Sequence, residues 1–567
     1  MTQSCAARVA AAHRRISECD RPEVWITLRS EAETRADAET VDARAAAGEE
    51  LPLAGLVVAV KDNIDVAGLP TTAGCPAYAY TPAVSAPAVR RLTDAGAIVL
   101  GKTNMDQFAT GLVGTRSPYG AVRGALRPEK ISGGSSSGSA VAVALGIADI
   151  ALGTDTAGSG RVPAALNGIV GVKPTLGLVP TTGVVPAARS YDAVTVFART
   201  LACAQRALAV MTGPDDGDPR GRTWPEDVRL SAPPRPRIAL PRDEDLAPLS
   251  PDARAAFATA VKRLEAAGAT STVLDVSPLL RAARLLYDGA LVAERYAAVG
   301  EFVARDPSAA DPTVAGIILA AAELPAHALV ADQELLDRYK ALAHRALSGY
   351  DALVLPTTTG HPDIATVRAD PVAVNSRLGT YTNFVNLLDM AAVAVPAGEA
   401  DGSPFGVSVV TRAFEDQPAL DIAALLTGEQ EPVPLPRTGV DLAVFGAHLR
   451  GQPLNHQLTE SGARYAGEVA TSTAYRLTAL DTVPAKPGLT RVGPSAGARI
   501  TGERWTLSPA ALGRLLAALP APMSLGRVEL ADGTWVLGFQ CDPHSAAGGT
   551  DITHLGDWRA YLRTAAS

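Results

Sequence analysis

Two stretches of small and polar residues, GGSSSGS at residues 133–139 and GTDTAGSGRVPA at residues 153–164, flank a short apolar segment. Such a density of Gly and Ser is typical of flexible linkers, but a linker is not built around an apolar segment like residues 140–152. A serine hydrolase needs a nucleophile on a tight turn, backbone N–H groups directed at the developing oxyanion, and a base that takes the hydroxyl proton. The two stretches therefore predict a catalytic site on turns that join buried elements.

The composition is that of a folded protein with more than one domain. Hydrophobic residues make up 47% and charged residues 19% of the 567-residue chain, which is too long for a single core. The net charge of −8 disfavours a nucleic-acid or anionic-membrane surface. The five scattered cysteines show no zinc or disulfide spacing, and no stretch resembles a membrane span or a signal peptide. We therefore expect a soluble, cytoplasmic protein with reduced thiols.

The candidate base is a lysine, because no histidine lies between His13 and His327. Lys61 ends an apolar segment, and burial must depress its pKa far below the reference of about 10.4 before it accepts a proton. Ser135 is suited to relay a proton from Ser159, the candidate nucleophile, to Lys61, since a hydroxyl both donates and accepts. Taken singly, Ser135 is better explained as a helix N-cap and Lys61 as a surface lysine. Taken together, the three residues favour catalysis.

The order of apolar segments predicts an α/β core followed by a smaller domain. Short strands alternate with helices over residues 51–200, helices cover residues 250–350, and strand signals then return, which indicates one mostly buried sheet flanked by helices. We expect a helical arm at about residues 1–50 within a domain of residues 1–430, a proline-rich linker at 431–439 and an α+β domain at 440–567. The predicted strands are 56–60, 97–100, 149–152, 352–355, 391–395, 406–410, 442–445, 474–480 and 534–540, and the predicted helices are 86–94, 252–267, 279–303 and 509–518.

Residues 96–103, GAIVLGKT, match the phosphate-binding pattern GxxxxGK[ST] at every fixed position. A phosphate-binding loop must curl so that its amides face the phosphates, and a strand must precede it. Here the four intervening residues are Ala, Ile, Val and Leu, which prefer a straight buried strand, and the preceding segment is helical. The match is therefore attributed to chance, and no nucleotide is expected.

Lys61, GGSSSGS and the longer stretch GTDTAGSGRVPAALNGIVGVKPT together resemble the amidase signature family, and the resemblance extends over most of residues 50–430. Ser159 follows Ser135 by 24 positions, as the nucleophile follows the relay serine in that family. The resemblance implies the family's α/β fold with a mixed sheet and an amidohydrolase of the Ser-cis-Ser-Lys type. Ser159 would be the nucleophile, Ser135 would follow a cis peptide bond, and Lys61 would be the base. No metal or organic cofactor is implied.

The resemblance also assigns the oxyanion hole to consecutive backbone N–H groups, those of Thr156, Ala157, Gly158 and Ser159. The chain departs from the common family pattern at two positions, since Ser137 and Ala157 stand where glycine is usual. A methyl group at Ala157 limits the backbone angles and could shift one oxyanion donor.

Within this family the chain resembles the allophanate hydrolase subgroup. The stretch YDGALVAERY at residues 287–296 is similar to the subgroup's substrate-binding helix, where a tyrosine and an arginine hold the substrate carboxylate. Tyr287 and Arg295 would fill these roles, and the planar guanidinium of arginine is suited to a carboxylate. Gly120, in TRSPYG, would contact the substrate through its backbone. Alone, Arg295 would be taken for a surface residue.

The segment VFGAHLRGQPLNH at residues 444–456 resembles the small domain attached to allophanate hydrolases, which in some relatives is implicated in removing CO2 from the first product. His456 is the candidate histidine, His448 is its rival, and a structural role for the domain stays open. The resemblance implies a small-molecule substrate, allophanate, together with a homodimer that associates loosely with upstream enzymes of urea or triazine breakdown. Three alternatives remain: a general amidase for uncharged amides, a transfer-RNA-dependent amidotransferase, and a non-catalytic scaffold.

Overall fold

A computed structural model describes residues 4–429, 434–435 and 438–565 of the chain. These residues form two compact units, of which unit 1 spans Met1–Thr223 and Arg235–Leu435, and unit 2 spans Trp224–Pro234 and Pro436–Ser567. The segment Trp224–Pro234 thus groups with unit 2, although its position in the sequence predicts that it belongs to the first domain. The linker predicted at 431–439 falls largely outside the described residues.

Unit 1 is built on one large mixed sheet. Its strands are β1 (Trp25–Leu28), β2 (Val57–Lys61), β3 (Ile98–Thr103), β4 (Ile150–Asp155), β5 (Val170–Lys173), β6 (Ala193–Ala198), β7 (Arg237–Pro241), β8 (Thr270–Leu274), β9 (Ala352–Pro356), β10 (Met390–Ala400) and β11 (Ser403–Arg412). They form an eleven-stranded sheet in the order β1-β3-β2-β4-β6-β5-β10-β11-β9-β7-β8. β2 is parallel to β3 and β4, whereas β4 and β5 are both antiparallel to β6. The late strands β9, β10 and β11 join the early ones, so the predicted α/β class is confirmed.

Helices cover this sheet, and every residue of β2, β3, β4 and β6 is buried. Local sequence sets many helix ends; for example, Ser250 accepts a hydrogen bond from Ala253 N at the start of α7, and Gly268 adopts a φ of +100° just after its end. The helices are α1 (Cys5–Cys19), α2 (Glu31–Ala46), α3 (Pro87–Asp94), α4 (Ser137–Ala144), α5 (Val162–Leu166), α6 (Leu201–Met211), α7 (Pro251–Ala266), α8 (Ser277–Arg284), α9 (Ala293–Arg305), α10 (Pro312–Ala320), α11 (Ala326–Leu347), α12 (Ile364–Ala369), α13 (Ala373–Leu378), α14 (Asn383–Leu387) and α15 (Asp416–Thr427).

One predicted helix, 279–303, is wrong in its continuity, because the chain breaks between α8 and α9. Gly289 at the break is extended, with φ −108° and ψ −173°, and the N–H of Ala290 donates to Asp332 Oδ2. A tertiary hydrogen bond and a residue without a side chain thus override the helical spacing of the apolar residues. Tyr287 lies in this connection rather than on a helix.

Unit 2 is an α+β arrangement around its own core, which includes Phe445, Tyr475, Trp505 and Trp558. Its strands are β12 (Val440–Val444), β13 (Arg464–Ala470), β14 (Tyr475–Leu480), β15 (Lys486–Arg491), β16 (Thr501–Leu507), β17 (Met523–Glu529), β18 (Trp535–Cys541) and β19 (Thr550–Asp551), and its helices are α16 (His456–Glu460), α17 (Pro509–Ala517), α18 (Pro543–Ala547) and α19 (Trp558–Ala565). The strands form a five-stranded sheet, β13-β16-β12-β18-β17, and a three-stranded sheet, β15-β14-β19.

The phosphate-loop pattern lies on β3, which is a buried strand as its side chains predicted. Lys102 is fully buried there and donates to Thr71 Oγ1 at 2.9 Å, so its ammonium group supports a neighbouring loop. No single helix of the described ranges is long and apolar enough to cross a membrane, although Pro312–Glu323 and Ala326–Leu347 meet that test as a bent pair.

Candidate active site

Lys61 stands at the end of β2, and its side chain is completely buried. Its Nζ lies 2.8 Å from Ser135 Oγ and donates to Thr154 Oγ1 at 2.7 Å. The Thr154 hydroxyl also accepts from Asn63 Nδ2 at 3.2 Å. These contacts therefore fix the position of the Lys61 amino group next to the predicted relay serine.

The protonation of Lys61 suits a general base. Burial lowers the pKa of its ammonium group to about 7, against the opposing effect of the carboxylates of Asp106, Asp155 and Asp192. The positive charge of Arg295 lowers this pKa further. A substantial fraction of Lys61 is thus neutral near pH 7, which a base that accepts a serine proton requires.

Ser135 follows a cis peptide bond from Gly134 and is fully buried two residues before α4. Ser159 lies on the turn after β4 and is 3% exposed. The structure brings Lys61 and Ser135 into contact, whereas Ser159 Oγ makes no hydrogen bond to any described residue. Catalytic contacts in a free enzyme are often long and tighten only when substrate binds.

The turn that carries Ser159 is organised around a buried ion pair. Asp155 accepts from Arg161 Nε and Nη2, both at 2.9 Å, and from the backbone N–H groups of Gly158 and Gly160 at 2.8 and 2.9 Å. Burial acts to raise the pKa of the Asp155 carboxyl, but the Arg161 guanidinium and these hydrogen bonds bring it below its usual value. Asp155 is therefore a charged anchor for the whole turn.

The four predicted oxyanion donors are not equivalent. The N–H of Gly158 is already engaged by Asp155 Oδ1, whereas those of Thr156, Ala157 and Ser159 donate to no described residue. The positive φ of the turn, +128°, falls on Gly158, and Ala157 is absent from the residues with positive φ. The methyl group of Ala157 therefore causes no backbone strain of the kind that a left-handed conformation imposes.

Ser137, the other departure from the family pattern, begins α4. Its hydroxyl donates to Asn104 O at 3.2 Å, so the extra side chain fits the buried space beside the relay serine.

Tyr287 and Arg295 meet through tertiary structure. Arg295 on α9 is 2% exposed, its Nη2 donates to Tyr287 Oη at 2.9 Å, and its Nη1 donates to Thr110 Oγ1 at 2.9 Å. Its Nε has no hydrogen-bond partner, and no carboxylate of the described residues pairs with it. The Asp192 carboxylate acts on Arg295 electrostatically without forming an ion pair with it. A buried cation without a direct counter-ion is costly unless a ligand supplies one. The geometry therefore suits an anionic ligand group at Arg295.

Gly120 has φ +105° and is tied into its own loop. Its carbonyl accepts from Asn104 Nδ2 at 3.0 Å and its N–H donates to Ser117 O at 3.2 Å. A substrate contact at Gly120 would use the second lone pair of its carbonyl oxygen.

In unit 2, the two candidate histidines have different surroundings. His448 lines a mostly apolar cavity of about 200 Å³, stacks on Phe539 at 4.4 Å and shares a hydrogen bond of 2.9 Å with Gln457 Oε1. Burial lowers the pKa of His448, so its imidazole is neutral near pH 7. His456 is exposed at the start of α16 and does not line this cavity. Of the two candidates, only His448 therefore lies in this cavity.

Several residues of the site were not anticipated from the sequence. Asp155 and Arg161 lie inside the quoted motif, where a charged pair six residues apart was a usable signal. No sequence signal pointed to Thr382 and Asn386. They contact the same turn from positions 225 and 231 residues away in the chain. No group of three or more His, Cys, Asp or Glu residues that could hold a metal ion occurs in the part of the chain that the structure describes.

A buried lysine beside a serine that follows a cis peptide bond, together with a second serine on a Gly-rich turn, defines the class. The chain belongs to the amidase family, whose sequence model matches residues 7–420. A second model, that of the allophanate hydrolase C-terminal domain, matches residues 440–563. The resemblance that the motifs carried is therefore confirmed over both units.

Individual proteins of known function or structure show where in this family the similarity is high. The chain is 39% identical to an allophanate hydrolase of Kluyveromyces lactis, whose structure superposes with a TM-score of 0.90 over 100% of this chain and 97% of that one. It is 43% identical to the urea amidolyase of Lachancea kluyveri over 95% of this chain, but it spans only 31% of that protein's length. One component of the glutamyl-tRNA(Gln) amidotransferase of Symbiobacterium thermophilum is 37% identical over 68% of this chain and 85% of that protein.

Proposed function

We propose that this chain is an allophanate hydrolase that uses Ser159 as its nucleophile, Ser135 as proton relay and neutral Lys61 as base. Ser159 Oγ attacks the terminal amide carbonyl, and its proton passes through Ser135 to Lys61. The oxyanion is stabilised by free N–H groups of the Ser159 turn. The proton then returns to the leaving nitrogen and ammonia departs, leaving Ser159 acylated. Water cleaves this ester by the reverse proton route and releases N-carboxycarbamate.

The observation that carries the substrate assignment is the buried guanidinium of Arg295. It forms no ion pair with a carboxylate of the described residues, although the buried Asp192 carboxylate acts on it from a greater distance. Its own charge acts on Lys61, so it lies within electrostatic reach of the base. Allophanate has one carboxylate next to the amide that is cleaved, and Arg295 with Tyr287 would hold that carboxylate. A general amidase for uncharged amides has no use for this cation.

The matched test compares allophanate with biuret, which has an amide in place of the carboxylate. We expect wild-type kcat/KM for allophanate to exceed that for biuret by at least about 100-fold, the value of a buried charge-assisted contact. Arg295→Met should remove most of this preference, mainly by raising KM for allophanate. Equal use of both substrates by the wild type would support the general amidase instead.

The amidotransferase alternative is less well supported. Similarity to the amidotransferase component covers 68% of the chain, and residues 440–563 match a domain named for allophanate hydrolases. Ser159-dependent ammonia release from glutamine at a rate above that from allophanate would favour the amidotransferase.

A second activity is favoured by the cavity in unit 2. N-carboxycarbamate must lose CO2 before it breaks down, and removal of a carboxylate from water promotes such a loss. We assign this role to His448 in its apolar cavity, with Lys486 on the lining as a carboxylate partner. Time-resolved ¹³C NMR of labelled allophanate should show N-carboxycarbamate accumulating with His448→Gln but not with His456→Gln. The reverse result would restore His456.

The same proposal includes a homodimer in the cytoplasm that associates loosely with the enzymes that supply allophanate. Light scattering of the purified chain tests the dimer.

A further inference from the structure

The direction of each oxyanion donor depends on how its peptide group is turned. A trans peptide group is planar, with its C=O and its N–H pointing in opposite directions. A hydrogen bond that fixes the carbonyl of one residue therefore fixes the N–H of the next residue. Hydrogen bonds to the back of the Ser159 turn thus decide which N–H groups face the reaction.

The peptide group between Ala157 and Gly158 is held at both ends. Thr382 Oγ1 donates to Ala157 O at 2.7 Å, and the N–H of Gly158 donates to Asp155 Oδ1 at 2.8 Å. Thr382 is fully buried, and a Cβ built on Gly158 would lie 2.3 Å from Thr382 Oγ1. The Thr382 hydroxyl thus fills the space behind Gly158 and allows this peptide group a single orientation.

The peptide group between Asp155 and Thr156 is held at its carbonyl. Asn386 Nδ2 donates to Asp155 O at 2.7 Å and to Tyr191 O at 2.9 Å. The N–H of Thr156 therefore points away from Asn386, where no described residue accepts it. Asn386 is itself fixed by Arg161, whose Nη2 donates to Asn386 Oδ1 at 2.8 Å.

The peptide group between Gly158 and Ser159 follows the same rule. Gly158 O accepts from the backbone N–H groups of Arg161 and Val162 at 2.9 and 2.7 Å. The N–H of Ser159 is directed the opposite way and donates to no described residue. Arg161 also donates from Nη1 to Thr382 O at 3.0 Å, which links the two sides of the turn.

We propose that Thr382 and Asn386 are positioning residues for the oxyanion hole. Thr382 prevents the 157–158 peptide group from flipping, and Asn386 aims the N–H of Thr156. Neither side chain touches the reacting atoms, and both act through the backbone of the Ser159 turn. The proposal rests on the proposed function only in taking Ser159 as the nucleophile.

The test uses Thr382→Val, which keeps the shape of the side chain and removes the donor. We expect kcat to fall by about 10- to 100-fold, since misplaced oxyanion donors slow the step that develops negative charge. KM should change by less than about threefold, and the acid limb of the pH profile should not move, because Thr382 makes no contact with Lys61. Thr382→Ser, which restores the donor, should recover kcat to within about threefold of the wild type.

The matched control is Thr411→Val, which removes another buried hydroxyl that donates to a backbone carbonyl, Glu415 O at 3.0 Å. Its kcat should stay within about twofold of the wild type. Asn386→Leu provides an independent arm in case Thr382→Val fails to fold, and it should lower kcat without a comparable change in KM.

The proposal is overturned by wild-type kcat in Thr382→Val or Asn386→Leu, by an equal loss in Thr382→Ser or Thr411→Val, or by a loss carried by KM. A wild type that is inactive on allophanate would count against the proposed function alone. The same variants would then be compared by the rate at which p-nitrophenyl acetate acylates Ser159, where the positioning proposal makes the same prediction.

Discussion

Lys61 Nζ and Ser135 Oγ are 2.8 Å apart, and both side chains are fully buried. Because the site is buried, a water molecule cannot readily take the place of the Ser135 hydroxyl as proton relay. We predict that Ser135→Ala lowers kcat by about 10²- to 10⁴-fold with little change in KM, because the nucleophile loses its path to the base. Ser137→Ala, two residues further on, should cost less than about tenfold. Steady-state ammonia release measures both variants, and equal losses would indicate a packing effect.

The pH dependence should follow the lysine. Lys61 must be neutral to act, and its pKa of about 7 places the acid limb of kcat/KM near pH 7, with activity falling below it. The Arg295 cation holds this pKa down, so Arg295→Met should move the limb to higher pH. Arg305→Met, at the exposed end of the same helix, should leave the limb in place. An acid limb at the wild-type pH in Arg295→Met would contradict the effect of the Arg295 charge on the pKa of Lys61.

Lys61→Met should be inactive yet more stable than the wild type at neutral pH. The pKa of Lys61 is about 7 in the folded protein and near 10.5 when exposed, so the folded state binds its proton less tightly. The resulting destabilisation is complete below pH 7 and fades as pH rises towards 10.5. Its removal is worth roughly a few kcal/mol, partly offset by lost hydrogen bonds.

Thermal unfolding of Lys61→Met at about pH 6.5 and about pH 9.5 checks this linkage. The variant's midpoint should exceed that of the wild type by several degrees at the lower pH and by less at the higher one. The opposite result would be a variant midpoint that lies below that of the wild type by the same amount at both pH values. It would show that burial of the charged Lys61 does not destabilise the folded protein.

Adjacent positions in the Ser159 turn should respond in opposite ways. Gly158 has a φ of +128°, and a Cβ there would lie 2.3 Å from Thr382 Oγ1, so Gly158→Ala should reduce kcat at least about 100-fold. Ala157 has no positive φ, and Ala157→Gly should keep kcat within about threefold. Paired activity assays with thermal midpoints separate a damaged site from an unfolded chain, and a severe loss in Ala157→Gly would refute this account of the turn.

Site residues could be predicted from the sequence where the residues around them in the chain already indicate their role. Lys61 ends a strand whose apolar residues predicted its burial, and Ser135 and Ser159 lie on turns whose small residues marked them. The parallel pairing of β2 with β4 brings Lys61 beside Thr154, within the same sheet. These placements needed only local pattern and the family resemblance.

The remaining features depend on contacts between distant parts of the chain. Thr382 donates a hydrogen bond to Ala157, which is 225 residues away in sequence, and no local pattern predicts such a contact. The break at Gly289 opposed a convincing helical spacing, because a contact with Asp332 competes with the helix. His448 and His456 are near neighbours in sequence, and only the packing around Phe539 distinguishes the buried one from the exposed one.

The most direct test of the central claim is ammonia release from allophanate by the purified wild type and by Ser159→Ala. We predict rapid release by the wild type and a loss of at least about 10⁴-fold in the variant. Release that survives in Ser159→Ala would contradict the assigned nucleophile. Absence of release from allophanate, with Ser159-dependent release from simple uncharged amides, would contradict the assigned substrate.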